Sequence, residues 1–219
     1  MTAYFGFTPS ANLKKNIETA LAHASGEPLY VIRDKVSLGI TDDIIDAALT
    51  TLAHELPPSD KKETMEKLSN FIRSTMQTLM KQLLSKDTDD KIRQSLNFLT
   101  LSTHNKAGQL KVGCIMPDEL IGKLKEMFAL AERGEITDAM RPELIVLQKH
   151  MADLCTKHFI TDYCESLHLG FFKRNAMSIS SGATTKAIHF AINKLVPSLS
   201  ADELAVFAKH YDSMMYFAD

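Results

Sequence analysis

The chain has 219 residues, enough to bury a core as one domain. Its 25 basic and 27 acidic residues leave a formal net charge of −2, which excludes the basic excess of a nucleic-acid footprint. No apolar run approaches the roughly 18 residues of a membrane span, so neither nucleic acid nor a membrane is expected as a partner.

The first seven residues place Tyr4, Phe5 and Phe7 around Gly6, an aromatic segment suited to a groove on its own domain or a neighbouring subunit. They lack a basic stretch followed by an apolar run, so no signal peptide is expected. Ser10 is a good N-cap for a helix over 10–24, with Leu13, Ile17, Ala20 and Leu21 on one face. Residues 29–38, LYVIRDKVSL, alternate like a strand but also carry Leu29, Ile32 and Val36 at helical steps. No second convincing strand exists to pair with, and a lone strand leaves its backbone unsatisfied, so a short helix ended by Gly39 is favoured. Thr41-Asp42-Asp43 caps the next helix, which runs to 56 and is stopped by Pro57-Pro58.

The run IIDAALTTLAHE in that helix resembles the first helix of TetR-type repressors. The Pro-Pro pair and a long charged helix then stand where a helix-turn-helix and its recognition helix should follow, so the resemblance implies no DNA-binding role. Residues 59–85 form that long helix, its period held by Met65, Leu68, Ile72, Met76, Leu79 and Leu83. A further helix over 87–104 joins it through a short link, which predicts an antiparallel hairpin of helices. Residues 105–115, NKAGQLKVGCI, carry two glycines and read as a loop with at most a short extended piece.

A helix over 117–133 is closed by Gly134. The segment 143–168 contains neither Pro nor Gly and follows Pro142, a residue tolerated in a first turn. Leu144, Leu147, Met151, Leu154, Cys155, Phe159, Tyr163 and Leu167 give it a broad apolar stripe, and about 26 residues would span about 39 Å. Residues 171–181 read as irregular, and helices over 182–196 and 200–217 complete the chain. The expected fold is therefore all-α: an irregular bundle of about eight to nine helices, one domain over 1–219, around the long central helix 143–168. No repeat of fixed period is present.

Three cysteines, Cys114, Cys155 and Cys164, form no obvious pair. Cys155 and Cys164 lie about 13 Å apart along one predicted helix, too far to bridge, so free thiols and a cytoplasmic location are expected. Cys155 and His158 share a helix at a step of three, but Cys155 lies on the apolar stripe, which favours an inert buried thiol. Most of the 11 methionines fall on core stripes, where they fill irregular space or line an adaptable groove.

Two side-chain sets carry possible chemistry. His158, Asp162, Glu165 and His168 follow steps of four, three and three along one helix edge. Glu165 and His168 make a Glu-x-x-His, the spacing by which di-iron bundles offer ligands, but a second such pair is absent from the sequence. Lys173, Arg174, Ser181, Thr184 and Lys186 surround Gly182, where a helix start could hold an anion. The order SSGATTK is not a phosphate-binding Walker motif. These patterns leave three functional readings. The first is an interaction or regulatory protein acting through a helical surface as a homodimer. The second is a metal- or cofactor-dependent bundle oxidoreductase on the His158–His168 edge. The third is a binder of small anionic ligands at 173–186.

Overall fold

A computed structural model describes residues 1–22, 26–167 and 169–218. The predicted end of the first helix at Ala24-Ser25 and the candidate ligand His168 lie outside the described residues. The chain is mostly helical, but it is not all-α: a four-stranded antiparallel sheet closes one side.

Strand β1 (Thr2–Phe7) opens the chain and turns Ala3, Phe5 and Phe7 onto the core. Helix α1 (Ala11–Ala22) follows and buries Leu13, Ile17 and Ala20. Helix α2 (Leu29–Ile45) settles the ambiguous segment as helix and runs straight through Gly39. That glycine is a contact point rather than a stop: an added Cβ would lie 3.0 Å from the Leu13 side chain of α1. Asp43, expected to cap its own helix, instead accepts a 2.6 Å hydrogen bond from the Ser10 backbone N–H at the start of α1.

A π-helical segment (Asp46–Thr50) continues α2 into the short α3 (Thr51–Glu55). After the prolines comes α4 (Asp60–Leu83), capped by Ser59. Arg73 on α4 donates to Asp42 and Asp46, fastening α4 across the π segment. Helix α5 (Asp89–Ser102) then leads into a hairpin of β2 (Thr103–Lys106) and β3 (Gln109–Ile115). This hairpin replaces the expected loop. Its two-residue turn needs positive φ at both positions, supplied by Ala107 at 50° and Gly108 at 79°.

Helix α6 (Asp118–Glu132) precedes α7 (Arg141–Thr156), a second π segment (Lys157–Asp162) and α8 (Tyr163–Ser166). The expected helix over 143–168 is thus helical from Arg141 to Ser166, but its middle changes pitch. Its ends serve different places: Leu144, Leu147 and Met151 join one buried cluster, while Ile160, Tyr163 and Cys164 join another. Helix α9 (Phe171–Leu195) absorbs the segment 171–181 that the sequence presents as irregular. Helix α10 (Ala201–Ser213) begins with a capping box between Ser200 and Glu203. It stops four residues short of its expected end, and β4 (Met215–Ala218) takes the chain into the sheet.

The sheet order is β2-β3-β1-β4. Cys114 faces Phe5 and Met215 faces Phe5 from the other side, so the inner face carries core residues. On the outer face Gly6 pairs with Gly113, and Tyr4, His104 and Tyr216 gather around them, with Tyr4 and Tyr216 stacked at 5.6 Å between centroids. A Cβ on Gly113 would fall 2.6 Å from the Tyr216 hydroxyl, and one on Gly6 would fall 2.2 Å from the Val112 carbonyl oxygen. Gly113→Ala is therefore expected to destabilise the protein by about 1–3 kcal/mol, because ring and strand must both move. Urea titration of the two proteins measures this.

Candidate functional site

The core is not one mass. A large cluster unites the inner sheet face with α1, α6 and α10, and a second cluster gathers Ile72, Met76, Leu79, Tyr163 and Cys164. Ile44, Leu49 and Leu68 are half-buried and pack against both. Along this seam lies a cleft of about 160 Å³, partly open to the surface.

Its walls come from α2, α4, α7, α9 and α10, and from both π segments. Ala48 and Leu49 represent the first π segment, Phe159 and Ile160 the second. π turns recur at functional sites because they break the regular ladder and re-aim side chains. The first is held by α10: His210 Nε2–H donates to the Ala47 carbonyl at 2.8 Å, and the Tyr211 hydroxyl donates to the Ala48 carbonyl at 3.0 Å. His210 Nδ1 also lies 3.2 Å from a Glu55 carboxylate oxygen, which fixes the ring.

None of the described residues lining the cleft is charged. Its titratable groups are held neutral. Cys155 has its thiol pKa raised well above the ordinary value by a hydrogen bond with Cys114, whose sulfur lies 3.8 Å away, and then by burial. Burial likewise raises the Tyr211 phenol. Most of the polar atoms are spent: Thr41 donates to the Ser37 carbonyl and Thr184 to the Met76 sulfur. Gln148 is different. It is 2% exposed, and its amide nitrogen has no hydrogen-bond partner.

The His158–His168 edge is distributed otherwise. His158 turns toward α5, where its ring packs 4.8 Å from Phe98 and its Nε2 lies 2.9 Å from Ser102 Oγ. Since the Ser102 hydroxyl donates to the Phe98 carbonyl, His158 Nε2–H is the donor in that contact. Asp162 pairs with Lys157 at 2.6 Å, and Glu165 is exposed. Within a π turn a step of four no longer closes one helical revolution, so the edge drawn for a regular helix does not persist. Among the described residues no three His, Cys, Asp or Glu side chains converge as a metal site.

The five residues of the second set lie on one continuous helix, with no helix start at Gly182. Lys173 donates to the Leu83 carbonyl and Arg174 to the Leu169 carbonyl, while Lys186 is exposed and Ser181 half-buried. Thr184 points instead into the cleft wall. Lys173 and Lys186 are separated by about 20 Å along the axis.

The sequence reading did not select Gln148. Its one trace there is a polar residue among Leu144, Leu147 and Met151 on the buried face of α7. No protein-family model matches the chain, and no curated protein or solved structure matches it. Among the described residues, no helix is long and apolar enough to cross a membrane.

Burial lowers the His158 pKa from 6.5 to about 4, against the opposing pull of Asp162; His104 and Lys157 push it the same way as burial. The unfolded chain then takes a proton near pH 6.5 that the folded chain refuses until about pH 4. The stability tied to this neutral ring is complete above pH 6.5, declines through that window and levels off below it. His104 is also depressed by burial and contributes to the same decline. His158→Gln should therefore lose less stability than the native protein between pH 7 and pH 4.5, as read by denaturant titration at both values.

Proposed function

We propose that the protein binds a small apolar molecule in the cleft between α2, α4, α7 and α9. The observation that carries this reading is an open cavity of about 160 Å³ with no charged side chain on its walls. An apolar cavity of about 150 Å³ stays dry and accepts benzene or xenon, so the space is enough for a ring or a short chain. Met65, Met76 and Met151 stand on the walls and can adapt to an occupant. The neutral fluorophore N-phenyl-1-naphthylamine tests the reading. Its emission should rise saturably with protein. Ala152→Phe, which fills the cleft from α7, should weaken it by at least about tenfold, equal to about 1.4 kcal/mol. Val146→Phe, on the exposed side of the same helix, should leave it unchanged. Absence of saturation, or equal binding by Ala152→Phe, overturns the reading.

A second reading, an interaction protein working through a helical surface as a homodimer, draws on α9. Phe172, Ile179 and Phe190 are all more than two-thirds exposed. Steps of seven and eleven residues return to one helix face within about 20°, so the three form a single row. Sedimentation from low to high protein concentration should show a dimer in the native chain and a monomer in Ile179→Glu. A native monomer throughout removes this reading.

A further inference from the structure

Gln148 brings to the cleft a buried amide donor that no described residue accepts from. It occupies a position where α7 otherwise buries Leu144, Leu147 and Met151. Its side chain is 2% exposed, it lines the cleft, and its amide nitrogen donates to nothing. A buried donor without a partner costs about 1–3 kcal/mol, so an apolar residue would serve the empty fold better. The missing partner must be an acceptor brought into the cleft.

The walls also define what that acceptor is attached to. An anionic group would find no cation among them, and a cationic group no carboxylate. Burying an unpaired charge is far more costly than burying a carbonyl. The two ionisable wall residues, Cys155 and Tyr211, stand protonated and neutral. A trapped water is the competing partner for Gln148. Such a water would accept from the amide and give its own hydrogens to the hydroxyl oxygens of Thr41, Thr184 or Tyr211, whose lone pairs stay free while their hydrogens go to Ser37, Met76 and Ala48, so a ligand oxygen must displace it to reach Gln148.

We propose that the occupant is an uncharged molecule with a ring-sized apolar body and one carbonyl oxygen, and that this oxygen accepts the hydrogen bond of the Gln148 amide. The proposal rests on the cleft being a binding site for apolar molecules. It adds the class of ligand and the residue that selects it.

A set of three nearly isosteric probes separates the two claims: cumene, acetophenone and benzoate, each titrated calorimetrically into the native protein and into Gln148→Leu. Acetophenone and cumene should both bind the native protein, and benzoate should bind neither protein. In Gln148→Leu the affinity for acetophenone relative to cumene should fall by about five- to tenfold, the worth of one hydrogen bond. In parallel, the carbonyl stretch of isotope-labelled acetophenone should lie at lower frequency in the native protein than in cyclohexane, a measurement that does not depend on the variant folding. If cumene binds but the relative affinity and the carbonyl frequency do not move, the role of Gln148 falls and the cleft reading stands. If benzoate binds more tightly than acetophenone, the uncharged class is wrong. If no probe binds, both fall together.

Discussion

The grip of α10 on the first π segment is the constraint on which the architecture turns. His210 and Tyr211, consecutive on α10, donate to the carbonyls of Ala47 and Ala48, which are consecutive on the π turn. Arg73 holds the same turn from α4 through Asp46 and Thr50. A π turn is seldom stable by its own hydrogen bonds, since its wider ring forfeits regular helical geometry. Here side chains from two other helices fix it. The result is that Ala48 and Leu49 face the seam between the two buried clusters rather than closing it.

The second π turn, Lys157–Asp162, does the corresponding thing from the opposite wall. It lets α7 deliver Met151 and Cys155 to one cluster while α8 delivers Tyr163 and Cys164 to the other. A regular helix through this region would keep a single buried stripe, and the space between the clusters would be filled from one side. An apolar void of about 160 Å³ would cost on the order of 4 kcal/mol if it were sealed and empty. The cleft is partly open, so the cost is smaller, but burial that could have stabilised the chain is still forgone. Natural proteins tolerate such departures chiefly where a site needs them.

The helices with strong local periodicity were legible in the sequence. In α4 the residues Met65, Ile72, Met76, Leu79 and Leu83 are buried as their spacing predicts, and Ser59 caps the helix. The sheet was not, for a physical reason: β1, β3 and β4 meet from opposite ends of the chain, and no short-range pattern announces pairing between Phe5, Cys114 and Met215. Gly39 and Gly182 read as helix boundaries because glycine favours ends, yet Gly39 exists for close contact with Leu13, and both lie within helices. The π turns leave no compositional mark, so the edge built on His158 and Asp162 was drawn on the wrong period. Gln148 was visible as a polar residue on an apolar face, but its meaning depended on knowing that nothing packs against its amide.

The distribution of charge around the cleft bears on the proposed binding role. General acid–base chemistry requires a titratable group within hydrogen-bond reach of the reacting atom, with a pKa near the working pH. The ionisable groups on the cleft wall are Cys155 and Tyr211, and both are held protonated: the thiol by its hydrogen bond with Cys114 and then by burial, the phenol by burial. His158 commits Nε2 to Ser102, His210 sets its nitrogens against Ala47 and Glu55, and neither lines the cleft. What remains at the wall is a neutral amide donor among apolar and sulfur-bearing side chains. In the proposed binding role, such a surface would discriminate between occupants by shape and by one hydrogen bond.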